Sequence, residues 1–348
     1  MKLNFEYNIC NDAAKSTESF VSFESINKKL YLIYIKEDNS IISYDLIHKQ
    51  IITTIDYSHL SKITHIKHYL DDINQRDLLM TCSSDEIKIW NIKNYQIISE
   101  LKRNFDSACL IKYNKKYYFA LASEKNPILI YDFEGNLFKE IKNEYEISNI
   151  FSFNDEENSY LITLNELSMC SYKNLSFYKK YKEEYKSYSC CYCNGYSSEE
   201  EMIKYSNGTP LKCLFNKKDN NIQLIEANED DHSNYFIKVW DLNLTSEKKE
   251  LDSKICLNGY DDMCLINNNK LLVQGGEEIN IIYLDELKKE QIEKLEEMDI
   301  SEEEDDDNDN NSSAEEDKNC SFVRIVHPFS GECLIWKNGK KMNLISIK

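Results

Sequence analysis

A short strand-like phrase returns along this chain. Residues 87–92 read IKIWNI and residues 237–242 read IKVWDL. Weaker copies are IISYDL at 41–46, ILIYDF at 128–133, LSMCSY at 167–172 and INIIYL at 279–284. Apolar and polar residues alternate, which predicts a strand with one buried face. The fourth position of each copy falls at Tyr44, Trp90, Tyr131, Cys170, Trp240 and Ile282, giving steps of 46, 41, 39, 70 and 42 residues.

A repeat of roughly 40–45 residues holding several short strands predicts an all-β fold, a β-propeller of four-stranded blades. The first blade is expected at 19–25, 30–35, 41–46 and 50–56, and the second at 63–70, 78–83, 87–92 and 96–101. The third covers 107–113, 117–123, 128–133 and 137–141, and the fourth 147–153, 159–164, 167–172 and 175–181. The fifth is read from PLKCLFN at 210, NIQLIEA at 221 and FIKVWDL at 236, and the sixth from 262–266, 270–274 and 279–284. The long step places an insertion at 182–208. After the sixth blade, DELKKEQIEKLEEMDI sets Leu287, Ile292, Leu295 and Met298 near helical spacing, which favours a short amphipathic helix over an irregular outer strand. A second insertion, acidic and with almost nothing to bury, covers 296–318 and is expected to be disordered. Three strands remain at 320–326, 332–337 and 341–347, the last two joined by the hairpin signal Asn338-Gly339. Residues 2–9 are a spare strand. Pairing 2–9 with 341–347 would complete a seventh blade and close residues 1–348 into one ring, leaving no open edge.

Composition narrows the function. The formal charge is −19, but residues 296–317 hold 13 acidic side chains and no Lys or Arg, so the remainder carries only −6. That balance disfavours nucleic acid, whose binding depends on neutralising phosphates. No run of 18 apolar residues indicates a membrane span. The start, MKLNFEYNICND, lacks the apolar core of a secretory signal, so the expected place is the cytoplasm, with the nucleus as the alternative. Twelve cysteines are then expected as free thiols. With 8 Gly and 3 Pro, turns must be built from Asn, Asp and Ser.

Trp240-Asp241 in IKVWDL and Trp90-Asn91 in LLMTCSSDEIKIWNI are similar to the repeat signature of the WD-repeat propeller family. The resemblance covers the whole chain and is sharpest in the second and fifth blades. That family often carries a buried His–Ser/Thr–Asp–Trp hydrogen-bond chain within a blade. The resemblance places His59, Thr81 or Ser83, Asp85 and Trp90 in such a chain, as a structural network and not a catalytic triad. Tyr44, Tyr131, Cys170 and Ile282 stand where other copies would have Trp. In this family the connection from the outer strand of one blade to the inner strand of the next lies on the narrower face. Both insertions occupy that kind of connection, which implies that they share a face suited to a partner with a basic patch.

No chemical motif competes with this reading. Cys190, Cys191 and Cys193 form one irregular cluster, with Cys170 or Cys213 as remote mates, whereas structural zinc sites show two spaced ligand pairs. His65 and His68 read as polar positions on a strand. No Gly-rich phosphate loop and no nucleophile elbow is present. No catalytic, cofactor-binding or metal residue is assigned, and no enzyme activity or cofactor is expected. A cullin-type ligase receptor of this family would carry WDxR, but Trp90-Asn91-Ile92-Lys93 and Trp240-Asp241-Leu242-Asn243 lack the Arg fork. The acidic stretch alone motivates a histone or chromatin escort. Ser301, Ser312 and Ser313 precede acidic residues at the spacing that acidophilic casein-type kinases use. The expected role is a scaffold subunit, itself monomeric, in a multiprotein complex.

Overall fold

In the computed structural model, the structure describes residues 3–15, 19–56, 58–123, 127–142, 147, 149–154, 159–164, 168–173, 176–182, 209–218, 221–229, 235–241, 251–257, 260, 262–267, 270–275, 278–284, 292–294, 320–327 and 331–347. The described residues contain strands and no helix, and they form two compact units, Met1–Ile98 with Gly259–Lys348, and Ser99–Asn258.

In the first unit, β1 (Leu3–Cys10) stands apart in sequence from its sheet. A four-stranded antiparallel sheet follows, β2 (Phe20–Glu24), β3 (Leu30–Ile35), β4 (Ile41–Asp45) and β5 (Gln50–Ile55), in sequential order. The second sheet is β6 (His65–Asp71), β7 (Arg76–Cys82), β8 (Glu86–Asn91) and β9 (Gln96–Lys102). The second unit carries three sheets of the same order. They are β10 (Ser107–Tyr113) to β13 (Leu137–Ile141) through β11 (Lys116–Ala122) and β12 (Ile128–Tyr131), then β14 (Asn149–Asn154), β15 (Ser159–Leu164), β16 (Ser168–Lys173) and β17 (Ser176–Lys182), and then β18 (Thr209–Lys218), β19 (Asn221–Glu229), β20 (Tyr235–Asp241) and β21 (Leu251–Leu257). Back in the first unit come β22 (Asp262–Asn267), β23 (Lys270–Gly275), β24 (Glu278–Tyr283) and β25 (Ile292–Lys294), and finally β26 (Cys320–His327), β27 (Gly331–Asn338) and β28 (Lys341–Ile347). β1 joins this last sheet as its outer strand, running antiparallel to β28 from Leu3 opposite Ile347 to Cys10 opposite Met342.

Three expectations need correction. Residues 292–294 are not helical but form an outer strand, with Ile292 opposite Ile282. Strand pairing to β24 overrides a weak local helical period. The sheet of β18–β20 has a fourth strand, β21, beyond the three expected from sequence. Finally, strands such as β4 do not bury one face only, because all five of its residues are buried. Sheets pack on both of its sides: Leu32, Tyr34, Ile42 and Tyr44 join Ile335 and Leu344 of the last sheet, while Ile33, Ile35 and Ile41 join Ile66, Leu79 and Trp90 of the second. The polar position in the phrase, Ser43, is buried and its Oγ accepts a hydrogen bond from the Tyr95 hydroxyl at 2.6 Å. Solvent reaches the outer strands instead, as in β5, where Ile51 is 56% exposed.

The Asp or Asn after the aromatic has a local task in the first three sheets. Asp45 Oδ1 accepts the N–H groups of Ile47 and His48 at 2.9 and 3.0 Å. Asn91 Oδ1 accepts from Lys93 N and Asp132 Oδ1 from Asn136 N. These side chains cap the turn to the outer strand. The caps matter because these turns place Lys49 and Tyr95 at positive φ, a conformation that costs such residues about 1–2 kcal/mol. The expectation of Asn, Asp and Ser turns therefore holds at the capping position, while the left-handed positions are shared between Asn39 and Asn114 and residues such as Lys49, Gln75 and Tyr95.

Candidate functional site

The second sheet contains a buried polar chain. Trp90 Nε1 donates to Thr81 Oγ1 at 2.8 Å, and His59 Nε2 lies 2.7 Å from the same oxygen. The indole can only donate, so Thr81 accepts there, and its proton and second lone pair both remain to meet His59 Nε2, as the imidazole tautomer requires. On the other side of the ring, Nδ1 lies 3.0 Å from Glu86 Oε2. Lys88 Nζ is 3.1 Å from the same carboxylate oxygen and donates to the Ser58 carbonyl at 2.7 Å.

Strand geometry assembles this set. Glu86, Lys88 and Trp90 are two apart on β8 and so share one face. Thr81 lies directly opposite Lys88 on β7, and Leu79 opposite Trp90. His59, Thr81, Glu86 and Trp90 are all buried. Asp85, one residue out of phase, is exposed at the turn and accepts from Ser83 Oγ at 3.0 Å. Hydrogen bonds from the Ser83 and Ser61 side chains hold its carboxyl below the ordinary value. The structure therefore brings His59, Thr81 and Trp90 together, leaves Ser83 and Asp85 in the adjoining turn, and gives the buried carboxylate to Glu86. The two-residue period from Trp90 was the available signal for Glu86 and Lys88.

The polar chain also fixes a loop. Between β5 and β6, Asn39 reaches across from the β3–β4 turn. Its Nδ2 donates to the carbonyls of Ser61 at 2.9 Å and His59 at 3.4 Å, and its Oδ1 accepts from Ile63 N at 2.8 Å. Ser58 Oγ returns a bond to the Asn39 carbonyl at 3.3 Å. Asn39 adopts φ +70°, a conformation that Asn tolerates. Residues 58–63 are thus clamped by Asn39 on one side and by Lys88 and Thr81 on the other.

The other predicted positions are dispersed. His68 Nε2 is 2.9 Å from Asp77 Oδ1, and its ring stacks on Phe23 at 3.7 Å. Burial pushes its pKa down, while Asp77 pulls the other way. Trp240 and Asp241 close β20 opposite Leu224 and Gln223. Among the described residues no group of three or more His, Cys, Asp or Glu could hold a metal ion, and Cys10, Cys82, Cys109, Cys264 and Cys333 are free thiols. No helix of the described residues is long and apolar enough to cross a membrane. Cys190, Cys191, Cys193, Ser301, Ser312, Ser313 and both insertions, apart from Lys182, lie outside the described residues.

No family model and no curated protein matches this chain. Solved structures do. A chain of the crystal structure of BBS1N in complex with ARL6DN aligns over 99% of this chain and 97% of its own length, with a TM-score of 0.63 at 10% identity. The β-propeller domain of Myceliophteria thermophila Cps50 (Swd1) aligns over 99% and 100%, with a TM-score of 0.63 at 11% identity. Chaetomium thermophilum Raptor aligns over 99% of this chain and 29% of its own, with a TM-score of 0.61 at 12% identity. At such identities the likeness defines the fold: this is an all-β protein of β-propeller architecture.

Proposed function

We propose that the protein is a non-catalytic, WD-repeat-like scaffold of the cytoplasm, a single seven-bladed ring closed by its two terminal strands, which serves as a monomeric subunit of a protein complex. The observation that carries this reading is the end-to-end likeness to propeller chains, one of them crystallised in complex with another protein, BBS1N with ARL6DN. Work of this kind falls to the loops of a rigid frame. The insertions at 182–208 and 296–318 are proposed recognition segments, the second for a partner with a basic patch, with Ser301, Ser312 and Ser313 as phosphate acceptors that would deepen its charge.

Affinity purification of the full chain with cross-linking mass spectrometry tests the role. A stoichiometric set of partners supports a scaffold. Recovery of a cullin adaptor would make it a ligase receptor, and recovery of core histones an escort. A chain that stays alone at physiological salt overturns the reading. Closure has its own test. Removing residues 1–10 deletes β1, and in a closed ring the lost protection from hydrogen exchange should extend to every sheet. Loss confined to β26–β28, or an unchanged melting temperature, would refute closure.

A further inference from the structure

Leu60 sits at the centre of the clamped loop, and it is 97% exposed. Single apolar side chains at a surface are ordinary and mean little by themselves. Leu60 differs in two ways. The other exposed large apolar side chains among the described residues reach at most 58%, at Val326. Moreover, its neighbours Ser58 and His59 are 3% and 5% exposed, so a buried stretch ends abruptly in a side chain that touches almost nothing. A free loop would fold such a leucine back onto the protein. This one is prevented by the bonds from Asn39 to the backbone on both sides of it, by Lys88 on the Ser58 carbonyl and by the His59 ring on Thr81.

The surroundings specify a partner. Asp38 and Asp85 stand exposed in the two turns that grip the loop. Each accepts a serine hydroxyl, Asp38 that of Ser40 at 2.6 Å and Asp85 that of Ser83 at 3.0 Å. Both carboxyls are pushed below the ordinary range by those hydrogen bonds and stay charged. Glu37 is already paired with Lys340 at 2.8 Å, and Lys62 supplies one positive charge beside the loop.

We infer that Leu60 is a pre-ordered anchor for a second protein, which receives it in an apolar pocket rimmed by Lys or Arg facing Asp38 and Asp85. The inference rests on the scaffold reading. Its physical basis is that the loop backbone is already fixed with Leu60 projecting from it, so binding loses little loop entropy. Asn39 is a positioning residue in this arrangement.

The test uses the full chain with a photo-reactive p-benzoylphenylalanine at position 60, and at Leu70 as a control that is 48% exposed. The protein that cross-links from position 60 is identified, purified and titrated against the wild type, Leu60→Ala, Leu60→Met and Asn39→Gly. Leu60→Ala should weaken binding about thirtyfold, as an anchor does, with its urea midpoint unchanged. Leu60→Met should stay near wild type. Asn39→Gly, which keeps the positive φ but removes the clamp, should fall between them. Binding should also weaken as salt rises. Cross-linking at 60 no stronger than at 70, or equal affinity for Leu60→Ala and wild type, overturns the inference. If a stoichiometric partner binds all variants alike, the scaffold reading stands and this one falls; if no partner is found by any route, both fall.

Discussion

In the second sheet Trp90 stands opposite Leu79 and Lys88 opposite Thr81, while in the first sheet the same two rungs carry Tyr44 opposite Leu32 and Ile42 opposite Tyr34. One sheet fills that face with a polar chain, and the other fills it with side chains of the apolar core. The backbone register is shared, so the polar chain is not a requirement of the sheet. The difference lies in the incoming segment. Before β2 the chain is held by backbone and side chains together: Ala13 bridges Lys36, Ala14 N donates to the Ile35 carbonyl at 2.7 Å, Ser19 Oγ donates to the Ala14 carbonyl at 3.1 Å and Lys337 Nζ to the Lys15 carbonyl at 3.0 Å, and both alanines are buried. Such close backbone approach requires small residues. Before β6 the chain is held by Asn39, Lys88 and Thr81 with no backbone bridge of this kind among the described residues, and that arrangement leaves room for a large residue at the loop tip. The buried alanines allow close backbone approach before β2, whereas before β6 the reach of Asn39 and Lys88 leaves the loop standing off with Leu60 exposed.

The largest expected effect breaks the polar side of this comparison at its core. Trp90→Ala should lower stability by roughly 3–5 kcal/mol in urea denaturation, through a cavity and an unpaired Thr81. Trp90→Phe should cost about 1–2 kcal/mol, which isolates the lost indole donor. If Trp90→Ala costs no more than Trp90→Phe, the side chain is not packed as described.

Next comes the carboxylate. Glu86→Ala should cost about 2–4 kcal/mol, because it strands the Lys88 ammonium, which keeps only slight access to water. Asp85→Ala should leave the midpoint unchanged, since that side chain lies in solvent. The reverse order would return the buried role to Asp85. A finer cut is the double-mutant cycle of Glu86→Gln with Lys88→Met. A coupling of about 1–3 kcal/mol is expected for groups in one network, and a coupling near zero would mean that Lys88 interacts only with the Ser58 carbonyl.

Much of the fold was legible because the repeat phrase marks the third strand of a sheet, and its neighbours follow at fixed spacing. The strands of the first three sheets lie within one or two residues of their predicted limits. What failed was local. Ile292–Lys294 carries a helical period too short to resist pairing with β24. β21 reads LDSKICL, with charges that mask its strand character. At the site, His59, Thr81 and Trp90 are among the residues that the resemblance to WD-repeat propellers singles out, and they do lie together. The pattern points to Asp85 and not Glu86 because it fixes residue type, whereas the pleat fixes direction, and only the second separates neighbours on a strand. Leu60 carried no signal at all, because its meaning depends on Asn39, a residue 21 positions away in sequence that clamps it.

The smallest effect separates the two sheets by pH. His65 opens β6, with Thr64 Oγ1 3.1 Å from its Nδ1 and a buried Nε2 that has no partner among the described residues. The matching position in the first sheet is Ser19, which donates to the Ala14 carbonyl at 3.1 Å and does not titrate. Burial, aided by Lys67, pushes the His65 pKa down to about 3 from its ordinary 6.5. Between those values the unfolded chain binds the proton and the folded chain does not, so stability falls as pH drops from 6.5 toward 3. The slope from one such group is at most about 1.4 kcal/mol per pH unit. Asp45 and Asp71, one in each sheet, also have lowered pKa values, but their contributions are lost only below about pH 4. The window from about pH 6.5 to about 4 therefore reports on histidines, and His68 contributes there in the same direction. His65→Leu should make the stability profile shallower in that window without flattening it, and hydrogen exchange near the middle of the window should show the wild-type second sheet opening more readily than the first. An unchanged slope in His65→Leu would mean that the ring is protonated in the folded protein, and the contrast between His65 and Ser19 would carry no energetic weight.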